Sequence, residues 1–240
     1  KLGVKKNDNI FLHSDLSLLK KYKNKKDIDR TCENLLCAIL ETIGKKGTLA
    51  VPTFSYSFCN KKNYHPEKTV SNCGYFSEYV RNHSLSKTYP DPNVSVSVIG
   101  HKKNYLTKKV TLNSYGKGSF FENFYKLKCK IMNVNMDAGS TFVHFFEKKL
   151  KVYYRKDIKF SGYIEGKNKR EKKSFLLFSR KKKNNYFANF ERLNEIALKK
   201  KIFKTYKLGF GFIGIMKIES LKKLITQNYK TNKNFLIYLK

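Results

Sequence analysis

Residues 31–54 have the sequence TCENLLCAILETIGKKGTLAVPTF, in which a helical pattern is followed by a strand pattern. Apolar residues recur every three or four positions and define one face of a helix over 31–43. The residues of this face are Leu35, Leu36, Ile39, Leu40 and Ile43. Thr31 is expected to cap the start of the helix, and Gly44 stands where a left-handed residue commonly ends one. The apolar run 48–51 then predicts a strand.

A short apolar run, Ile10-Phe11-Leu12, precedes this stretch and predicts another strand, so the chain begins strand, helix, strand. That order favours a right-handed crossover between parallel strands, and the loops that follow lie at the edge where open α/β sheets bind ligands. Further strands are predicted at 94–98, 130–134 and 209–214, and helices at 75–81, 140–149, 187–200 and 219–227. In the strand 94–98, Val alternates with Ser, as in a strand with one buried face. The pattern as a whole is typical of an α/β protein.

Composition limits the class of protein. The 240 residues are 40% apolar and 15% aromatic, enough for a sizeable core, which excludes a disordered chain. This length predicts one domain over 1–240, with a basic excursion near 166–186 that forms a hairpin or a mobile loop. The net charge is +33, yet only 6 of the 51 basic residues are Arg. Because Arg recognises phosphates and base edges in fork geometry, the excess of Lys favours a coding bias over a specific nucleic-acid surface.

The cysteines and the apolar runs bear on the compartment. Five cysteines occur at irregular spacing without a C-x-x-C pair, which argues against a zinc site or a disulfide framework and favours a reducing compartment. No apolar run reaches the roughly 18 residues of a membrane span. No signal peptide is visible, although the chain begins at Lys1 without Met. We therefore expect a soluble cytoplasmic protein without a metal, and the oligomeric state stays open.

One of the five histidines, His144, lies in a chemically suggestive position. It falls in the predicted helix 140–149, and Glu147 follows three residues later on the same face. A carboxylate at that spacing can orient the imidazole and stabilise the imidazolium that forms when the ring accepts a proton. The spacing is equally compatible with a half-buried structural pair. His13, at the end of the first strand, fits either a buried hydrogen-bonded role or contact with a ligand.

Taken in order, several segments resemble the aminoglycoside 3-N-acetyltransferase family, also called antibiotic N-acetyltransferases. The residues that carry the resemblance are Leu2-Gly3-Val4, Asp8, Leu12-His13-Ser14-Asp15-Leu16-Ser17, the run 47–55 (GTLAVPTFS), the run 74–81 (GYFSEYVR), Asp91-Pro92, Ser95, Gly100, Gly116-Lys117-Gly118-Ser119, Thr141-Phe142-Val143-His144-Phe145-Phe146-Glu147, Tyr154-Arg155-Lys156 and Phe160. The similarity covers nearly the whole chain. Its specific parts are the Val-Pro-Thr-Phe-Ser segment and the helix with His144 and Glu147.

The resemblance implies an acetyl-CoA-dependent enzyme that acetylates an amine of a sugar-like substrate. It also implies a mixed-sheet, layered α/β/α domain that differs from the common GNAT acetyltransferases. In the family pattern His144 is the catalytic base and Glu78 lies near the substrate, and the spacing adds Glu147 as the residue that holds the His144 ring. The positions that match family coenzyme contacts are His13, Ser14, Asp15, Leu16, Pro52, Thr53, Phe54, Ser55, Ser95 and Val96. Backbone N–H groups near 53–55 are expected to stabilise the oxyanion of the tetrahedral intermediate.

This chain departs from the family at positions that bear on the acceptor. Many members carry His-Pro where this chain has Asp91-Pro92, and several carry a His in place of Val94. A net charge of +33 should also repel polycationic aminoglycosides. Four acidic residues could still form a local pocket for such a substrate: Asp15, Glu78, Asp91 and Asp137.

We therefore expect the small-molecule amine to be an amino sugar, free or nucleotide-linked, of the kind used in bacterial surface polysaccharide assembly. An aminoglycoside is the other candidate. Two alternatives from different classes stay open. One is a module that binds RNA or another polyanion through its Lys runs, and the other is a degenerate family member that binds coenzyme A without transferring acetyl.

Overall fold

Seven strands form one mixed sheet between two layers of helices in the structure, a computed structural model that describes residues 2–17, 19–166, 169–181 and 186–239. The strands are β1 Asn9–Ser14, β2 Thr48–Pro52, β3 Lys87–Tyr89, β4 Val96–Gly100, β5 Lys130–Val134, β6 Arg155–Glu165, β7 Arg170–Arg180, β8 Tyr186–Ala188, β9 Lys204–Leu208, β10 Gly211–Lys217 and β11 Ile237–Leu239. The helices are α1 Lys25–Ile43, α2 Tyr75–Asn82, α3 Lys103–Thr107, α4 Phe120–Lys126, α5 Phe142–Lys149, α6 Glu191–Lys199 and α7 Ile218–Thr231. The layered, mixed α/β class predicted from the sequence is confirmed.

The strand order of the main sheet is β3-β4-β2-β1-β5-β10-β9. β1 lies at its centre and runs parallel to both β2 and β5, as the crossover order predicts. The remaining pairs are antiparallel. The carboxyl ends of β1, β2 and β5 therefore meet at one edge of the sheet.

Each side of the sheet has its own apolar core. In β1, Ile10 and Leu12 pack with the residues of α1 and α2, whereas Phe11 faces the opposite layer, which contains α4, α5, α6 and α7. All three side chains are completely buried. Burial on this scale stabilises the fold by roughly 1.5–3 kcal/mol for each large apolar side chain.

Helix α1 is longer than its apolar stripe predicts. It begins at Lys25, and Asn24 caps it by accepting a hydrogen bond from the Asp27 backbone N–H at 3.1 Å. The prediction that Thr31 caps the helix is wrong, because its hydroxyl donates to the Asp27 carbonyl inside the helix. Gly44 ends the helix with φ +65° and donates to the Leu40 carbonyl, as predicted.

The prediction for the strand around 94–98 is wrong about its faces. β4 begins only at Val96 and lies between β3 and β2 inside the sheet, and its valines are buried together with Ser97 and the preceding Ser95. The Ser97 hydroxyl bonds to Thr88 at 2.9 Å, and the Ser95 hydroxyl donates to the Thr53 carbonyl at 2.5 Å. Serine tolerates burial here because its polar group has a partner.

Two predicted elements near the C-terminus have different bounds. The helix predicted over 187–200 begins only at Glu191, because Tyr186–Ala188 pairs with β11 as a strand. The glycine-rich run 209–214 is a turn followed by β10, and the positive φ of Gly209 places it against the Leu19 carbonyl, where a Cβ would lie 2.2 Å from the oxygen. None of the helices formed by the described residues combines the length and the hydropathy of a membrane span.

The basic excursion is part of a long hairpin. β6 and β7 pair over eleven residues each, from Arg155 opposite Arg180 to Glu165 opposite Arg170, so the hairpin begins well before residue 166. Residues 167–168 and 182–185 of the excursion lie outside the described residues. The hairpin is attached to the body through Phe175, whose ring packs edge-on against Phe58 at 6.0 Å.

Candidate functional site

The polar residues after β1, β2 and β5 share the carboxyl edge of the sheet. This edge is where the resemblance predicts coenzyme contacts: the segments 13–16 and 52–55 start at the last residues of β1 and β2 and continue into the loops after them, and Ser95 lies beside Thr53. Most of these side chains are buried, whereas Asp15 is exposed and binds the Ser17 backbone N–H. The structure thus brings the predicted coenzyme segments to one edge.

His13 connects the end of β1 to the start of α5. The Thr141 N–H donates to its Nε2 at 3.3 Å, so Nδ1 carries the proton and donates to Asn133 Oδ1 at 3.2 Å. Burial lowers the pKa of His13 to about 4, which keeps the ring neutral. Asn133 in turn donates to the Gly139 carbonyl at 2.8 Å. His13 and Asn133 therefore hold the loop that leads into α5.

Helix α5 positions His144 in its first turn. The helix begins at Phe142, two residues later than predicted, and the Ser140 hydroxyl accepts a hydrogen bond from the Phe142 N–H just before it. His144 Nδ1 lies 2.7 Å from Glu147 Oε2. The histidine side chain is 25% exposed and that of Glu147 only 1%. The i,i+3 pair that the sequence predicts is formed, with the imidazole partly exposed and the carboxylate buried in the interior next to it.

Two further residues hold the Glu147 carboxylate. The Tyr154 hydroxyl donates to Oε1 at 2.8 Å. Arg155 Nε lies 2.7 Å from Oε2, but its N–H is not aligned with that oxygen, so the contact is an ion pair without a well-formed hydrogen bond. Arg155 also donates from Nη1 to the Phe178 carbonyl at 3.3 Å, which ties this group to β7.

The protonation states of the pair follow from this arrangement. Burial lowers the pKa of His144, and the Arg155 charge lowers it further against the opposing effect of Glu147. Burial acts to raise the pKa of Glu147, but His144, Arg155 and Tyr154 together outweigh it, and the net pKa is lowered. At pH 7 the carboxylate is therefore ionised and the imidazole neutral. Since Nδ1 donates to Glu147, the lone pair of the ring is on Nε2, as a general base requires.

His144 lines a cavity of about 680 Å³. Its ring lies between two aromatic rings, Tyr115 at 6.1 Å and Phe190 at 6.2 Å between centroids. Tyr56 and the β7 residues 177–180 form further parts of the wall. A cavity of this size bounded by aromatic and polar groups is typical of a small-molecule site.

The loop after β2 runs beside the segment before β4. Thr53 and Tyr56 donate their backbone N–H groups to the Ser95 and Asn93 carbonyls. Tyr56 adopts φ +51°, an uncommon conformation for a residue with a bulky side chain, and lies at the cavity wall. Of the two residues between them, Phe54 directs its N–H to the Cys73 thiol, whereas the Ser55 N–H makes no hydrogen bond within the described part of the chain.

Glu78 lies apart from this cavity. It forms an ion pair with Arg81 at 2.6 Å and accepts from the Ser71 N–H at 2.9 Å, on a helix that packs on the opposite layer. It lines a separate groove between α1 and α2. The structure therefore does not bring Glu78 together with His144.

The residue at the first family departure, Asp91, is completely buried. It accepts from the N–H groups of Asn93 and Val94 and from the Ser114 hydroxyl, the last at 2.6 Å. These three donors act against burial, which raises its pKa. Asp91 therefore fixes the loop before β4 and does not line the cavity.

Several residues of the site were not identified from the sequence. Tyr115, Arg155, Arg180 and Lys181 line the cavity, and Tyr154 lies buried behind it on Glu147. Tyr154 and Arg155 are part of the resembling segments, and that match is the only signal that could have marked them. Their contacts form between a helix and the strand that follows it, where no residue spacing predicts proximity. Among the described residues no group of three His, Cys, Asp or Glu side chains could hold a metal ion.

Comparison with known proteins gives one matching family model and several similar solved structures. A family model described as aminoglycoside 3-N-acetyltransferase matches residues 11–230. The crystal structure of aminoglycoside acetyltransferase AAC(3)-Xa is similar with a TM-score of 0.81 and 15% identity, covering 98% of this chain and 90% of that one. AAC-VIa bound to sisomicin gives 0.80 and 14%, with 96% and 93% covered. AAC-IIIb in a binary complex with CoASH gives 0.78 and 14%, with 96% and 92% covered. No curated protein sequence matches the chain.

Proposed function

The chain belongs to the aminoglycoside 3-N-acetyltransferase family and is an N-acetyltransferase, and from this premise we propose that it transfers acetyl directly from acetyl-CoA to a sugar amine with His144 as general base. The observation that carries the proposal is the pair of His144 Nδ1 and Glu147 Oε2 at 2.7 Å on the wall of a cavity. The pair leaves Nε2 unprotonated, so the ring can accept a proton from a group bound in this cavity.

In the proposed reaction His144 acts on the acceptor nitrogen. A primary amine is mostly protonated at pH 7 and must lose a proton before its lone pair can attack. Nε2 takes this proton and passes it to solvent. The amine nitrogen then bonds to the acetyl carbon, the C–S bond breaks, and the second amine proton goes to the coenzyme thiolate. The products are an amide and a free thiol.

The charge that develops on the thioester oxygen needs donors. The backbone N–H group of Ser55 supports this role, because it makes no hydrogen bond among the described residues and follows β2 at the ligand-binding edge. The Phe54 N–H next to it faces only the thiol of Cys73, a weak acceptor. Such donors act best when the fold fixes them in advance. The Asn72 backbone N–H and side-chain amide, which bond to the Phe54 and Ser55 carbonyls, hold this loop in place.

We propose that acetyl-CoA binds along the segments 13–16, 52–55 and 95–96. Their position at the shared edge of β1 and β2 supports this assignment, as does the resemblance. AAC-IIIb, a fold relative, binds CoASH. Because most side chains of these segments are buried, the segments would bind the coenzyme mainly through backbone N–H and C=O groups, which stay accessible where a strand ends.

For the acceptor we propose an amino sugar in preference to a polycationic aminoglycoside. AAC-VIa, another fold relative, binds sisomicin. In this chain, however, none of the four acidic residues that could attract a polycation lines the cavity with His144. Those residues are Asp15, Glu78, Asp91 and Asp137. A polycation would therefore meet a surface of high positive charge without local compensation.

Release of free thiol from acetyl-CoA in the presence of a panel of amines tests the proposal. We expect His144→Ala to lower acceptor-dependent release by about 10²–10⁴-fold while calorimetric binding of CoASH stays nearly unchanged. His101→Ala, at an exposed histidine, is the matched control. Unchanged turnover in His144→Ala would remove His144 from the mechanism. Coenzyme binding without turnover in the parent would support a degenerate enzyme, and salt-sensitive polyanion binding alone a binding module.

A further inference from the structure

We propose that the wall of the His144 cavity formed by the end of β7 and by β8 is a phosphate-binding subsite, and that it selects a nucleotide-linked amino sugar as acceptor. The proposal rests on the function proposed above and specifies its substrate class. Its central residue is Arg180, with Lys181 beside it.

The charge of the cavity points to an anion. Three cations line the cavity, Arg155, Arg180 and Lys181, whereas none of the described residues that line it is Asp or Glu. Arg155 is compensated by Glu147 beneath it. Neither Arg180 nor Lys181 forms an ion pair within the described residues. Two uncompensated cations therefore face the space next to the proposed base.

Arg180 is held in place by neutral partners. Its Nη1 donates to the Tyr186 carbonyl at 2.9 Å, and its guanidinium lies 5.8 Å from the centroid of the Phe187 ring. These contacts orient the group without neutralising its charge. A guanidinium fixed in this way can offer its other N–H groups as a fork to two phosphate oxygens.

Aromatic rings accompany the two cations on the same wall. Tyr186, Phe187 and Phe190 line the cavity, and Phe187 stacks on Tyr238 with centroids 5.6 Å apart and planes at 22°. Flat aromatic faces beside a fixed guanidinium suit a nucleotide, because a base can stack while the phosphates bind the cation. A simple amino sugar has no group for either feature.

Coenzyme A also carries phosphates, so a phosphate bound at this wall could belong either to the coenzyme or to the acceptor. The segments proposed for the coenzyme follow strands of the main sheet, whereas Arg180 and Tyr186 belong to the two small sheets. The cationic wall and the proposed coenzyme edge are therefore built from different parts of the chain, and we assign the wall to the acceptor.

Charge reversal at Arg180 tests the assignment. The probes are a uridine-diphosphate amino sugar and the same amino sugar without the nucleotide. The assays are run at about pH 8, where the His144 ring stays neutral, because the Arg180 charge also lowers the pKa of His144. We expect Arg180→Glu to lower kcat/KM for the nucleotide-linked acceptor by at least 10-fold, mainly through KM, and to leave the free amino sugar and the KM for acetyl-CoA unchanged. Arg170→Glu, at the other end of β7, is the matched control and should change none of these values.

Three results would overturn the proposal. One is an equal effect of Arg180→Glu on both acceptors, another is a rise in the KM for acetyl-CoA instead, and the third is a parent enzyme that prefers an aminoglycoside. If the parent turns over no acceptor, the proposed function fails, and calorimetry with uridine diphosphate still tests the subsite. Binding that Arg180→Glu weakens at least 10-fold would then support it, and equal binding would refute it.

Discussion

Arg155 Nε lies 2.7 Å from Glu147 Oε2, the same carboxylate oxygen that contacts Nδ1 of His144. A single buried carboxylate thus faces both a permanent cation and a titratable ring. Because Arg155 already provides the positive charge that Glu147 requires, the histidine is free to stay neutral. This relationship explains how a histidine paired with a carboxylate stays neutral at pH 7, as the proposed base must. Replacement of either partner, Arg155 or Glu147, tests the explanation.

Replacement of Arg155 should shift the acid limb of the pH profile of kcat to higher pH. The base must be unprotonated, so kcat falls as the pH drops through the pKa of His144, which lies below 6.5 in the parent. Arg155→Gln removes a neighbouring positive charge and raises that pKa. Lys156→Gln, at the exposed neighbour, should leave the limb in place. A limb in Arg155→Gln that stays put or moves to lower pH would contradict the electrostatic role.

Replacement of Glu147 should shift the same limb in the opposite direction. Glu147→Gln removes the group that raises the pKa of His144, so the limb moves to lower pH. We also expect kcat to fall by about 10²-fold, and the unfolding free energy in urea to fall by roughly 3–5 kcal/mol, since Arg155 loses its buried partner. Glu195→Gln, at an exposed site on α6, is the control. A loss of stability without a shift of the limb would reduce Glu147 to a structural residue.

The stability of the protein should decrease in mild acid through His13. The pKa of His13 is about 4 in the fold and 6.5 when exposed, so its contribution is complete above pH 6.5 and is lost as the pH falls toward 4. At about 1.4 kcal/mol for each pH unit, the loss amounts to about 3 kcal/mol. His13→Gln should flatten the dependence of the unfolding free energy on pH between 6.5 and 4, and His101→Gln should not. Equal slopes in His13→Gln and the parent would show that another group controls acid stability.

The attachment of the hairpin can be tested at Gly162. A Cβ there would lie 2.6 Å from the Phe58 ring, which is buried and cannot move aside. Gly162→Ala should therefore lower the unfolding free energy in urea by about 1–3 kcal/mol. Gly166→Ala is a matched control, because the nearest atom to its Cβ would be the Lys169 carbonyl oxygen at 3.6 Å. Equal stability of the two variants would mean that the hairpin does not pack on Phe58 as described.

The sequence predicts elements well where apolar periodicity and end signals coincide. β1, β2, α2 and β5 lie where their patterns indicate, and Gly44 ends α1. The first turns of α1 are missed because residues 25–30 (KKDIDR) are almost all charged, so the apolar stripe begins later than the helix. β4 is misjudged because buried serines that have hydrogen-bond partners look like a solvent face.

The candidate site follows the same division. The pair His144 and Glu147 is predictable because three residues of helix always bring two side chains to one face. The positions of Arg155 and Arg180 cannot be predicted in this way. Arg155 reaches the site at the junction of α5 with β6, and Arg180 reaches it as the last residue of β7. Tertiary packing of that kind leaves no periodic trace in a single sequence.

A structure of the protein crystallised with CoASH and its acceptor tests the central claim most directly, through the distance from His144 Nε2 to the acceptor nitrogen. We predict a nitrogen within about 2.6–3.2 Å of Nε2, directly or through one water, with the coenzyme sulfur next to that nitrogen on the side of residues 53–55. A pantetheine arm that ends in another cleft, with the acceptor nitrogen beyond the reach of Nε2, would contradict it.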